Sequence, residues 1–156
     1  LLAHGAAFGF VVRCQRYFNV FGPRQDPASP YSGVISIFDR RYREGLGVKI
    51  FGDGQQTRDF ISVHDVARAN VLAATAEGVV SGYANVCTGH ATSLLDVAAV
   101  FAEHYPKAPA PVHAAPRLGD IVHSLGRPDR AREELGFKAE CSVRTGLAEL
   151  IQVGGG

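Results

Sequence analysis

The sequence predicts an α/β fold. Segments rich in β-branched and aromatic residues alternate with segments of helical apolar spacing, and glycine or proline turns separate them. A balance of 46% hydrophobic to 20% charged residues over 156 positions is that of one globular domain.

Each element has its own local reason. Residues 1–8 read as the tail of a helix, and 10–18 (FVVRCQRYF) as a buried strand. A loop is expected over 19–32, broken by Gly22-Pro23, Asp26-Pro27 and Ser29-Pro30. Apolar residues at 34, 35, 37, 38 and 42 predict a helix that Gly45 and Gly47 end. Short strands follow at 48–51 and 60–63, either side of the Gly52-Asp53-Gly54 turn. A helix over 64–77 opens with Ser62 and Asp65 spaced as a capping box. A strand over 83–87 comes next, then a helix to about 105 with a second box at Ser93 and Asp96. Prolines at 106, 109, 111 and 116 predict an extended stretch with a short strand near Val112. Pro128 starts a short helix ending at Gly136, and Ser142 caps a last helix to 151.

Several function classes drop out at once. A net charge of +1 gives no field for nucleic acid or anionic membrane. The apolar run at 6–12 is far short of the ~20 residues of a membrane span and lacks signal-peptide flanks. Cys14, Cys87 and Cys141 are odd in number and widely spaced, so free thiols in a reducing, cytoplasmic compartment are expected. Six histidines show no HxxxH or HExxH spacing, which argues against a metal site. The chain contains no methionine and opens at Leu1 as if within a helix. The expectation is a piece of a longer protein whose remaining sheet strands lie upstream. Phe8, Phe10 and Val12 would then sit on an exposed sheet edge prone to association.

Three arginines fall in turns: Arg24, Arg58 and Arg117. Guanidinium forks suit phosphate oxygens, and converging forks suit a diphosphate. The alternative is local ion pairing with Asp26, Asp59 and Asp120. Asn19 follows a strand, where α/β sheets bind ligands, and is equally read as a turn residue. Phe51 ends a strand and either stacks on a base or fills the core. The sequence carries no GxSxG, GxGxxG or P-loop lysine.

At Arg16-Tyr-Phe-Asn-Val-Phe-Gly-Pro-Arg-Gln25 the sequence resembles the extended short-chain dehydrogenase/reductase family, within it the NAD-dependent epimerases and dehydratases of the UDP-glucose 4-epimerase type. Further matches follow in the family's order. They are Ser29-Pro-Tyr-Ser-Gly-Val-Ile35, Ile50-Phe-Gly-Asp-Gly-Gln-Gln-Thr-Arg-Asp-Phe-Ile61, Val63-His-Asp-Val66, Tyr83-Ala-Asn-Val86 with Thr88-Gly89, and Arg117-Leu-Gly-Asp-Ile-Val-His-Ser124. Together they cover roughly residues 11 to 150.

The resemblance implies a Rossmann domain that holds NAD and a smaller lobe that holds a nucleotide-diphosphate sugar, here a UDP-sugar. This chain matches the C-terminal substrate-binding lobe plus the last strand or strands of the Rossmann-type doubly wound sheet. Residues 1–32 would be the remnant of the NAD domain, and 33–156 the lobe. Tyr17 and Phe18 match positions beside the nicotinamide. Asn19 matches a diphosphate contact, Val34 and Ile35 a base-reading segment, and Lys49, Ile50 and Phe51 the strand on the uracil. Arg58 and Arg117 match a diphosphate clamp, Asp120 an acid near the ribose, and Ser124 a sugar-facing position. The implied function is part of a nucleotide-sugar 4-epimerase acting on UDP-glucose or UDP-N-acetylglucosamine, homodimeric when intact. A 4,6-dehydratase or decarboxylase, or a non-catalytic binding fragment, is the alternative. The family's Gly-rich NAD turn and Tyr-x-x-x-Lys pair do not occur in this sequence, so no catalytic residue is assigned and no turnover by this chain alone is expected.

Overall fold

The computed structural model describes residues 1–26, 28–29, 33–78 and 80–153. The expected breakers at positions 27 and 30 and the expected boundary at residue 32 lie outside them. Helix α1 (Leu2–Phe8) ends at Gly9, whose φ of 72° supplies the left-handed residue that closes a helix. Strand β1 (Arg13–Tyr17) is shorter than the predicted 10–18, and it is half-buried to exposed rather than buried. Phe8 and Phe10 are exposed, but Val12 is buried. It packs against Gly5, where a Cβ would lie 2.6 Å from Val12 Cγ2.

The first correction of register lies at 19–21. The predicted loop begins with a strand instead, β2 (Asn19–Phe21). β1 pairs in parallel with β6 (Gly82–Val86), and β2 pairs in parallel with β5 (Phe60–Ser62). The chain changes partner at Phe18: its N–H donates to Val86 O at 3.2 Å, and the next N–H, of Asn19, donates to Asp59 O at 3.1 Å. The Gly22-Pro23 signal therefore ends β2, not β1. The β1–β6 pair also joins residues from both sides of the expected boundary at 32.

Helix α2 (Val34–Arg43) leads to β3 (Lys49–Phe51), which pairs in parallel with β8 (Val112–Ala114). Parallel neighbours need long crossovers, and helices supply them. α3 (Val63–Thr75) carries β5 to β6, and α4 (Leu94–His104) precedes β8. Three two-residue strands were not predicted. β4 (Thr57–Arg58) lies between β7 (Thr92–Ser93), antiparallel, and β9 (His123–Ser124), parallel. Strands this short have no period to read, and their partners are distant in sequence. The chain closes with α5 (Asp129–Leu135) and α6 (Val143–Val153). Pro128 stands at the N-cap of α5 rather than inside it.

The two expected capping boxes behave differently. At α4, Ser93 Oγ accepts from Asp96 N–H and Asp96 Oδ2 accepts from Ser93 N–H, both at 3.0 Å. At α3, Ser62 Oγ accepts from His64 N–H at 3.2 Å, but Asp65 does not reciprocate. Its carboxylate is buried and accepts from the N–H groups of Glu140 and Cys141 and from Arg68. Tertiary donors thus displace the local one.

Two apolar clusters hold these elements. One gathers Phe21, Phe38, Tyr42, Ile50, Phe101 and Leu147 between α2, β3, α4 and α6. Tyr42 stacks on Phe101 at 5.3 Å between ring centroids, and its hydroxyl donates to Ala98 O. The other gathers Ile61, Val66, Val86, Leu135 and Phe137 between β5, β6, α3 and α5. Among the described residues no helix is long and apolar enough to cross a membrane.

Candidate functional site

A cavity of about 850 Å³ opens between the start of β2, the exposed side of α2, β3, β4 and the 117–120 turn. Its size lies within the range of small-molecule sites. Strand alternation decides which β3 residues reach it: Lys49 and Phe51 line it, whereas Ile50 turns into the core with 1% exposure. Helical periodicity does the same on α2, where Val34, Ile37, Phe38 and Arg41 share the cavity face.

Nine of the twelve residues to which the resemblance gives a role line this cavity: Phe18, Asn19, Val34, Ile35, Lys49, Phe51, Arg58, Arg117 and Asp120. Tyr17, Ile50 and Ser124 do not. Tyr17 faces solvent, and its hydroxyl donates to Asn70 Oδ1 at 2.7 Å. Ser124 is half-buried on β9, in register with Arg58. Arg24 lies away from the cavity, in a smaller hollow beside Ser36 and Asp39, with a left-handed φ of 68°.

For Arg58 the open question of local ion pairing resolves against the nearest acid. Arg58 Nη2 donates to Asp120 Oδ1 at 2.8 Å, and Arg58 Nη1 donates to Thr57 O at 2.9 Å. Asp59, adjacent in sequence, is fully buried and points the other way. Its carboxylate accepts from Thr88 N–H and hydroxyl at 2.8 and 2.7 Å, and from Gly89 N–H at 2.9 Å. It also accepts from Gly126 N–H at 3.3 Å. This carboxylate ties β4 and β5 to the loops after β6 and β9, and so fixes the strand that presents Arg58.

Arg117 sits over the ring of Phe51, with its Cζ 3.8 Å from the centroid, a cation–π contact. The backbone under Phe51 is held from behind. Buried Gln56 donates from Nε2 to Phe51 O at 2.8 Å. The following turn needs Gly54, with φ of 80° and a Cβ position 2.7 Å from Leu95 Cγ. Asn19 donates from Nδ2 to Asp59 O at 3.0 Å, which orients its amide at the cavity end next to Phe18.

Sequence reasoning missed Gln25, Arg41 and Gln56 in the lining. Arg41 had a legible signal, since it stands two helical turns from Val34 on one face. Gln56 had none. Behind the site, Cys87 is fully buried. Burial and the nearby Asp59 charge push its thiol up to about 12.

The cavity thus offers cationic forks, an aromatic platform, an oriented amide and one carboxylate. No acid–base pair with a nucleophile stands among the described lining residues. The sequence carries no Gly-rich dinucleotide turn, and of the two residues expected beside a nicotinamide only Phe18 reaches the cavity. These residues do not make a dinucleotide site of their own.

The family model described as the NAD dependent epimerase/dehydratase family matches residues 1–128. The chain is 36% identical over 135 residues to a dTDP-L-rhamnose 4-epimerase of Burkholderia thailandensis, covering 86% of this chain and 37% of that protein. It is 38% identical over 134 residues to a UDP-glucose 4-epimerase of Mycolicibacterium smegmatis, covering 86% and 42%. The crystal structure of UDP-glucose 4-epimerase from Thermotoga maritima with UDP-glucose superposes with a TM-score of 0.87 at 36% identity, over 95% of this chain and 47% of that one. The chain spans less than half the length of these relatives.

Proposed function

The chain belongs to the NAD dependent epimerase/dehydratase family, and from that premise we propose that its cavity holds the nucleoside diphosphate of a nucleotide-diphosphate sugar. The whole protein would be a nucleotide-sugar 4-epimerase of the UDP-glucose or UDP-N-acetylglucosamine type, cytoplasmic and homodimeric. In this reading α1, β1 and β2, within residues 1–32, belong to the cofactor half, and the elements of residues 33–156 form the substrate lobe.

One observation carries the reading: Arg58 on β4 and Arg117 in the 117–120 turn line the same cavity as the Phe51 ring and the Asn19 amide. A diphosphate bears charges that two guanidinium forks neutralise better than water does in a half-closed cleft. Phe51 offers a face to the base once Arg117 moves from its ring to the phosphates. Arg58 keeps Asp120 within reach of a sugar hydroxyl while it turns a donor to the diphosphate. In the intact enzyme NAD supplies the hydride chemistry. This chain's residues bind and orient the nucleotide end.

Titration calorimetry with UDP tests the assignment. Arg58→Ala and Arg117→Ala each remove a charge-assisted contact, so each is expected to weaken UDP binding about tenfold or more, and the pair about a hundredfold. Equal UDP affinity in the native chain and the double variant overturns the clamp.

A further inference from the structure

We propose that the hollow between α5, the loop after β6 and the segment leading into α6 is a second binding site, which takes a small organic anion with an apolar body. It is separate from the nucleotide-sugar cavity and uses none of that cavity's residues.

The hollow itself is the first observation. It holds about 400 Å³, within the range of small-molecule sites. It shares no lining residue with the larger cavity. Cys87, Pro128, Phe137, Ala139 and Val143 give it apolar walls, and Phe137 and Cys87 are fully buried. Burial is the main cause that pushes up both lining thiols, Cys141 and Cys87, the latter to about 12. Neither therefore brings a negative charge into the hollow at neutral pH.

Unspent cations are the second. Arg132 and Lys138 line the hollow, and neither side chain has an ion-pair or hydrogen-bond partner among the described residues. Arginines on the neighbouring elements are spent: Arg68, Arg130 and Arg144 each pair with a carboxylate. The acid in the lining, Glu140, is taken by Arg68. His90 Nδ1 donates to Thr88 O at 3.1 Å, which leaves Nε2 without a partner among the described residues.

Fixed walls are the third. On one side, Asp59 accepts from the N–H groups of Thr88 and Gly89 at 2.8 and 2.9 Å. On the other, Asp65 Oδ2 accepts from the N–H of Cys141 at 3.0 Å, and Asp65 Oδ1 from that of Glu140 at 3.1 Å. Arg68 donates to Lys138 O and stands over the Phe137 ring, with its Cζ 5.8 Å from the centroid. Two buried carboxylates thus pin the backbone on both sides, and a ligand meets a formed hollow without having to order it.

The chemistry of the ligand follows from what these groups lack. A guanidinium fork suits the oxygens of a carboxylate or phosphate, and the Lys138 ammonium adds a second charge. An inorganic anion alone would leave the apolar walls wet. A neutral apolar molecule would leave both cations unmatched. An anionic group on an aromatic or branched body satisfies both.

Phenyl phosphate and inorganic phosphate share the anionic group and differ in the apolar body, so together they make the test. Amide NMR titrations of the 156-residue chain report where each one binds. Phenyl phosphate is expected to move the amides of Thr88, Lys138 and Cys141, and to bind there about tenfold more tightly than inorganic phosphate. Arg132→Ala and Lys138→Ala change exposed side chains, so both variants are expected to fold. Each is expected to weaken phenyl phosphate at these amides about fivefold. Shifts confined to Asn19, Phe51 and the rest of the larger cavity overturn the proposal. So do inorganic phosphate binding as tightly as phenyl phosphate at these amides, and an affinity unchanged by both substitutions. A failed UDP titration overturns the diphosphate clamp and leaves this site standing.

Discussion

At Asp59 a carboxylate with no exposed surface accepts from three backbone N–H groups and one hydroxyl, and its charge acts on a neighbour. Cys87 is packed so closely that a Cβ on Gly126 would lie 2.4 Å from its sulfur and 2.9 Å from Phe18 Cζ. Burial first, and then Asp59, raise the thiol from an ordinary 9.0 to about 12. A raised folded-state value means that the unfolded chain loses this proton first as pH climbs. Cys87 therefore subtracts nothing below pH 9.0 and progressively lowers stability between 9.0 and about 12. Denaturation midpoints measured at about pH 8 and about pH 10 are expected to fall less in Cys87→Ala than in the native chain. An equal fall in both assigns the alkaline loss to other groups.

Among the elements, α2 works on two faces at once. Tyr42 enters the core, Val34, Ile37 and Arg41 face the cavity, and Ile35 and Phe38 belong to both the core and the cavity wall, so the helix that fixes the fold also shapes the site. β4 is only two residues long, yet it holds Arg58 because β7 and β9 flank it. Ser93 belongs to this arrangement twice, as the β7 partner of Thr57 and as the cap of α4. Ser93→Ala removes the half of the capping box in which Ser93 Oγ accepts from Asp96 N–H, and leaves the half in which the backbone N–H of residue 93 donates to Asp96; it is expected to cost about 1 kcal/mol, read as a lower urea midpoint with unchanged slope. A midpoint equal to that of the native chain removes the box from the stabilising contacts.

For the molecule as a whole, the chain is expected to convert no UDP-glucose to UDP-galactose when NAD is added. The Tyr-x-x-x-Lys pair and the Gly-rich turn of its family do not occur in it. Sugar interconversion followed by chromatography checks this, and turnover by this chain alone refutes it. The main elements and their order were legible, because apolar period and glycine or proline punctuation are local signals: α2, α4 and β6 lie within a few residues of their expected ranges. Arg58 and Arg117 stood out as arginines among turn residues, whereas Val34, Ile35 and Lys49 were legible as site residues only through family motifs. What the sequence by itself determined is the α/β class, the family, and most of the polar residues that line the cavity. Tertiary structure alone decided that β1 hands over to β2 at Phe18, that Arg58 pairs with Asp120 rather than Asp59, that Ile50 leaves the site, and that Arg41 enters it. Each of those outcomes depends on which strand lies alongside or which face of an element is covered. Residues far apart in the chain set those conditions, and no local pattern encodes them.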